Sequence, residues 1–179
     1  INRRKFIGMS AATAAGFTIL PRHVLGGANF IAPSDKITLA YIGIGTQGIR
    51  ELLPMLQRPE IQIVAVCDPS KEAVGYKDWG KDYLRGQIRQ VIKKPDWDCG
   101  GDGLIPGGRE NGKNIVDTYY SNVAMQEKYK GCKAYEDVRE LFVKEKDIDA
   151  VKIMTPDHLH GVLAMAAIKR GKHILMHKP

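Results

Sequence analysis

The segment from Ile37 to Asp68 constrains the fold more than any other part of the sequence. An apolar run, Ile37-Thr38-Leu39-Ala40-Tyr41-Ile42, leads directly into Gly43-Ile44-Gly45-Thr46-Gln47-Gly48. A helix-compatible stretch follows, then a second apolar run, Ile61-Gln62-Ile63-Val64-Ala65-Val66-Cys67, closed by Asp68. Strand, glycine turn, helix, strand and acid, with the acid 20 residues past the last glycine, form the pattern of a dinucleotide-binding βαβ unit.

Each position has a physical task. Gly43 permits the tight turn, Gly45 lets the backbone approach a diphosphate, and Gly48 allows helix and strand to pack closely. A helix opening near Thr46 and Gln47 points free N–H groups and the positive end of its dipole at that diphosphate. Asp68, at the carboxyl end of the second strand, can accept hydrogen bonds from a ribose diol and repels a 2′-phosphate. NAD is therefore the expected cofactor, with Lys71 nearby leaving NADP open. The alternative is a glycine-rich βα turn that binds nothing.

A chain of 179 residues suits one domain of ordinary size, and 44% hydrophobic with 26% charged residues reads as globular. The net charge is +7. Of this, +3 falls in the first 35 residues, on Arg3, Arg4, Lys5 and Arg22 against Asp35, and the remaining +4 is spread thinly. No basic block is interleaved with aromatics, which argues against a nucleic-acid partner. No apolar stretch reaches the roughly 18 residues of a membrane span.

Residues 1–35 read as an export signal or amino-terminal arm outside the fold. Asn2-Arg3-Arg4-Lys5-Phe6-Ile7 precedes a mildly apolar, small-residue run to Leu20, then Pro21 and Gly26-Gly27-Ala28. Adjacent arginines ahead of such a run resemble the twin-arginine type of signal, and imply the bacterial periplasm. Three cysteines, Cys67, Cys99 and Cys132, leave at least one thiol unpaired, and Cys99 with Cys132 is either a disulfide or two free thiols. No metal-ligand spacing occurs, and His158 and His160, two apart, diverge on a helix.

Between Asp68 and Tyr135 lie 66 residues, more than one helix and its turns need, so an insert is expected at about 74–131. Its glycine-rich piece from Pro95 to Lys113 reads as a long loop, walling the site or meeting another subunit. Gly107 to Lys113 nearly spells a phosphate-binding GxxxxGK, but Asn114 stands where Ser or Thr belongs and no apolar strand precedes it. Beyond Gly131, Tyr135 to Val138 is expected to begin a helix carrying Leu141 and Phe142. Asp149 to Met154 reads as a strand, Asp157 as the cap of a helix running to Gly171, and His173 to Met176 as a last strand. Alternating elements imply an α/β fold: a doubly wound, mostly parallel Rossmann sheet over residues 36–179, with ligands at the carboxyl ends of its strands.

Three motifs, Gly43 to Gly48, Thr155-Pro156-Asp157-His158-Leu159-His160, and Gly171-Lys172-His173 through His177-Lys178-Pro179, resemble the amino-terminal half of the glucose–fructose oxidoreductase/inositol dehydrogenase (Gfo/Idh/MocA) family. The stretch Pro21 to Gly27 after a signal is similar to exported members. The resemblance implies NAD or NADP in this domain and a sugar, cyclitol or related polyol held against a second, α+β substrate domain, in a protein that is a homo-oligomer when full length. Thr155, Pro156 and His160 match the family's stretch near the nicotinamide, although for His160 a satisfied helix histidine fits equally. The family's Glu-Lys-Pro maps to His177-Lys178-Pro179, so Lys178 inherits the position beside the reacting hydroxyl as catalytic candidate, and His177 departs from the usual Glu. Family members continue past the point matching Pro179, which implies that catalysis needs a carboxyl-terminal domain.

Hydride transfer holds the nicotinamide against a carbinol carbon with a base ready for the hydroxyl proton. In an exported protein a retained cofactor must be regenerated in each cycle. An NAD(P)-dependent oxidoreductase of sugars or polyols meets this by coupling two substrates. An NAD-dependent glycoside hydrolase meets it by transient oxidation, elimination and hydride return. The third reading is a nucleotide-binding or assembly module without catalysis.

Overall fold

The computed structural model describes residues 31, 35–72, 83–99, 106–124 and 129–178. The export-signal motif, parts of the insert and Pro179 lie outside the described residues. Five strands, β1 (Ile37–Ile42), β2 (Ile61–Cys67), β3 (Lys133–Tyr135), β4 (Ala150–Ile153) and β5 (His173–Met176), form one sheet in the order β3-β2-β1-β4-β5. All four pairings are parallel. The order reverses at β1, so the crevice beyond the carboxyl ends of β1 and β4 is the topological switch point where ligands of such sheets bind.

The helices are α1 (Thr46–Leu56), α2 (Tyr83–Ile92), α3 (Arg109–Asn122), α4 (Val138–Lys144) and α5 (His160–Ile168). Strand alternation divides the core between the two faces. Leu39, Tyr41, Ile63 and Val66 pack with residues of α1, α2 and α3. Ala40, Ile42, Ala65 and Cys67 pack with Leu141 and Phe142 of α4 and Leu163 and Ala167 of α5. The parity slips once: Leu39 pairs with Ile63 but Ala40 with Ala65, leaving Val64 as a bulge. Beside that bulge the Ile63 N–H donates to the Tyr120 hydroxyl at 2.8 Å, because β3 starts only opposite Ala65. Tyr120→Phe strands this buried donor. The expected loss is ~1–3 kcal/mol of unfolding free energy at unchanged denaturant m-value, read from urea melts of the two proteins.

Three expectations are corrected. The loop read from Pro95 to Lys113 ends earlier than expected, since α3 already begins at Arg109, and α2 precedes that loop. Gly112, Ile115, Val116, Tyr119 and Tyr120 of α3 are buried, and Trp97 sits in the core with its indole N–H on Asn114 at 2.7 Å. Asn, Asp, Thr and Tyr are indifferent helix formers, so packing on β2 rather than local propensity makes this helix. Tyr135 ends a strand instead of starting a helix, which begins at Val138 after the Asp137 carboxylate accepts the Arg139 N–H at 2.8 Å. Asp157 opens a 3₁₀ turn, Asp157–Leu159, without a side-chain cap, and α5 starts at His160. Of the two states left open for Cys99 and Cys132 the structure shows free thiols, as it does for Cys67. Gly171, at φ +68°, stands in the left-handed conformation typical just past a helix end.

Candidate functional site

Turn chemistry builds the site first. Gly43 follows β1 at φ +95°, its N–H donating to the Cys67 carbonyl at 2.8 Å. A Cβ there would stand 2.7 Å from the Met154 carbonyl carbon, and one on Gly48 only 2.2 Å from the Gly43 carbonyl oxygen. A Cβ on Gly45 would meet nothing within 4 Å. The first and third glycines therefore serve contacts within the fold, while the second leaves open space over the turn. Gly45 is also the N-cap of α1, with no side-chain cap hydrogen bond, so the first-turn N–H groups face the opening without a protein side chain on them.

These residues form one wall of a cleft of about 940 Å³ at the carboxyl edge of the sheet. Gly43, Gly45, Thr46, Gln47, Gly48, Asp68, Thr155 and Pro156 all line it. Asp68 is half-buried; one carboxylate oxygen accepts the Ile44 N–H at 2.7 Å and the other the Ser70 N–H at 2.8 Å. The carboxylate thus ties the glycine turn to the exit of β2 and keeps further lone pairs for a ligand. Beside the turn, just past β4, the Thr155 hydroxyl is buried and without a hydrogen-bond partner. Such an orphan polar atom in a cleft wall is what a bound hydroxyl or amide would satisfy.

Two sequence candidates stand elsewhere. His160 is buried behind Thr155 rather than in the cleft lining, its Nε2–H donating to the Thr155 carbonyl at 2.8 Å. It holds the Thr155 backbone and belongs to the support of the site. Lys178 is exposed beyond β5 and outside the cleft lining. Its neighbour His177 does line the cleft, held by its N–H to the Ile153 carbonyl at 3.0 Å.

Other lining residues were not singled out from the sequence, although the loop holding the first two was read as a wall of the site or a contact with another subunit. Gly107 and Gly108, from the expected loop, sit in the wall, where the Gly108 N–H donates to the Ile44 carbonyl at 2.7 Å. The near-GxxxxGK run was a trace of this, its glycines serving chain contact: a Cβ on Gly108 would meet the Lys71 carbonyl oxygen at 2.6 Å. Cys67 forms part of the floor. Burial, and then the Asp68 charge, push its thiol up to about 12, so it stays protonated at neutral pH. At the rim, hydrogen bonds from Arg139 hold the Asp137 carboxyl down at about 2. Among the described residues no group of three or more His, Cys, Asp or Glu is placed to hold a metal ion. Nor is any helix among them long and apolar enough to cross a membrane.

Residues 105–179 match the sequence model of the Gfo/Idh/MocA oxidoreductase family, described as an NAD-binding Rossmann fold. The match supports that family. A glycosyl hydrolase family 109 protein of Stenotrophomonas maltophilia is 26% identical over 171 residues, 96% of this chain and 28% of that protein. The levoglucosan dehydrogenase of Pseudarthrobacter phenanthrenivorans is 49% identical over 37 residues, 21% of this chain and 10% of its own length. A solved myo-inositol dehydrogenase of Corynebacterium glutamicum superposes with a TM-score of 0.48 at 19% identity, over 80% of this chain and 28% of that one. The chain therefore spans under a third of the length of the proteins it resembles. NAD, the cofactor named by the matching family, fits what lines the cleft: an open glycine turn, uncapped helix N–H groups, a carboxylate at the exit of β2 and an unpartnered hydroxyl at the exit of β4.

Proposed function

We propose that this domain binds NAD as part of an oxidoreductase acting on a sugar, cyclitol or related polyol. The observation that carries the reading is the Gly43–Gly48 turn, open above Gly45 and closed below by Asp68 on the Ile44 N–H. Thr46, Gln47 and Gly48 would hold the diphosphate on their backbone amides, Asp68 the adenosine ribose, and Thr155 and Pro156 the nicotinamide side. Bound NAD supplies a hydride acceptor. The chain contributes orientation: α1 and the sheet set the position of the glycine turn, while His160 fixes the carbonyl of Thr155. Lys178, following β5, is the candidate for receiving the substrate hydroxyl proton, and a substrate domain beyond this chain would bring the polyol to it.

A second reading, redox-neutral cleavage of a glycoside by transient oxidation, draws support from the family 109 relative, which aligns with 96% of this chain. The paired arginines at Arg3 and Arg4 support export to the bacterial periplasm, where a retained and internally regenerated cofactor suits either reaction. Calorimetry on the full-length protein is expected to register stoichiometric NAD uptake. Absence of uptake of both NAD and NADP, with neither co-purifying, overturns the proposal. Release of phenol from aryl glycosides without added NAD and without NADH build-up would select cleavage; net NADH formation with polyols would select oxidation.

A further inference from the structure

Beside Asp68, and resting on the nucleotide-binding reading, stands a cation that the sequence assigned to a loop. Arg109 opens α3, and its guanidinium donates to the carbonyls of Asp68 at 3.2 Å and Pro69 at 2.8 Å. Its remaining Nη2 meets the Glu136 carboxylate at 2.8 Å. The Arg109 side chain is only 15% exposed, whereas that of Glu136 is 68% exposed and faces the cleft. Backbone bonds hold the arginine in place: the Arg109 N–H donates to the Ser70 carbonyl at 3.0 Å and the Glu110 N–H to that of Lys71 at 3.1 Å.

The guanidinium therefore rests on the backbone of the proposed ribose acceptor, just behind the cleft wall that Glu136 lines, on the side toward which a 2′-phosphate of that ribose would project. An arginine there is the usual receptor for that phosphate. Here two carbonyls and a carboxylate occupy it, and Glu136 cancels its charge on the cleft side. We propose that Arg109 and Glu136 form a selectivity pair: Arg109 positions the Asp68 turn for the ribose of NAD, and Glu136 prevents the same guanidinium from accepting the 2′-phosphate of NADP. Asp68 and Glu136 then both oppose the extra phosphate, while exposed Lys71 favours it. Asp137, the other carboxylate at this rim, is paired with Arg139.

The test compares affinities of the full-length protein for NAD and NADP by calorimetry. Glu136→Gln leaves an exposed side chain of the same shape but removes the countercharge. It is expected to raise NADP affinity relative to NAD about tenfold, the size of a single exposed-to-half-buried charge contact, with the gain shrinking at high salt. Adding Arg109→Met to Glu136→Gln is expected to abolish that gain, since the receiving cation is gone. A role confined to stability would move both affinities together and leave their ratio alone. An NADP-to-NAD ratio within twofold of wild type in Glu136→Gln, or a gain that survives loss of Arg109, overturns the pair. If wild type takes up neither dinucleotide, the nucleotide-binding reading itself has failed, an outcome distinct from an unchanged ratio.

Discussion

Gly48→Ala is expected to lose both NAD uptake and a large part of the fold's stability. A methyl group there would stand 2.2 Å from the Gly43 carbonyl oxygen, about 1 Å inside van der Waals contact. The obstructing atom is backbone, so no rotamer change relieves it. Either α1 lifts from β1, exposing the face that buries Ile49, Leu52, Leu53 and Leu56, or the turn opens. Overpacking of this kind costs ~3 kcal/mol or more when no side chain can yield. Gly45→Ala separates stability from binding. Nothing lies within 4 Å of its Cβ, and φ of −79° suits any residue. The melting temperature is expected to stay near wild type while the methyl occupies the space over which the diphosphate would pass. Thermal melts and calorimetry on both variants check the contrast. A Gly48→Ala protein that melts and binds like wild type would contradict the packing seen here.

Asp68→Ala is expected to weaken NAD binding ten- to a hundredfold. The carboxylate accepts the Ile44 and Ser70 N–H groups at 2.7 and 2.8 Å, so its removal frees the glycine turn from β2 as well as deleting the ribose acceptor. Hydrogen bonds to a charged group contribute ~1.5–3 kcal/mol each, and 1.4 kcal/mol corresponds to a tenfold change in affinity. NADP, which that carboxylate repels, is expected to lose far less. Asp68→Asn should fall between, since its amide oxygen still accepts one N–H but the charge is gone. Equal losses for both dinucleotides in Asp68→Ala would mean that the residue acts only as a brace.

The legible part of the fold was the part with strong local codes. The apolar runs at Ile37–Ile42 and Ile61–Cys67 can be little else than buried parallel strands, and a GxGxxG between them forces a turn that only glycine can make. The His173–Met176 strand and the Gly171 stop were readable for similar reasons. α3 was not readable, because Asn111, Lys113, Asn114, Asp117 and Thr118 mask its period. Asp117 is there for tertiary contacts, accepting from Tyr129 at 3.1 Å and from the Cys132 N–H at 2.6 Å. The start of the 3₁₀ turn at Asp157 was hidden too, since Asp is a good cap and nothing local says that its carboxylate goes unused.

For the site, residue identity and spacing alone pointed to the glycine turn and the acid at the exit of β2, because each answers to a backbone constraint acting within a few residues, whereas Thr155 and Pro156 were reached only through the family resemblance. Only the tertiary structure decided that His160 supports Thr155 from behind, that His177 rather than Lys178 lines the cleft, and that Arg109 reaches back 41 positions to the Asp68 carbonyl. Those outcomes depend on which strand ends and helix starts are brought to one edge of the sheet. That arrangement comes from burial of the whole core, and spacing along the chain does not encode it.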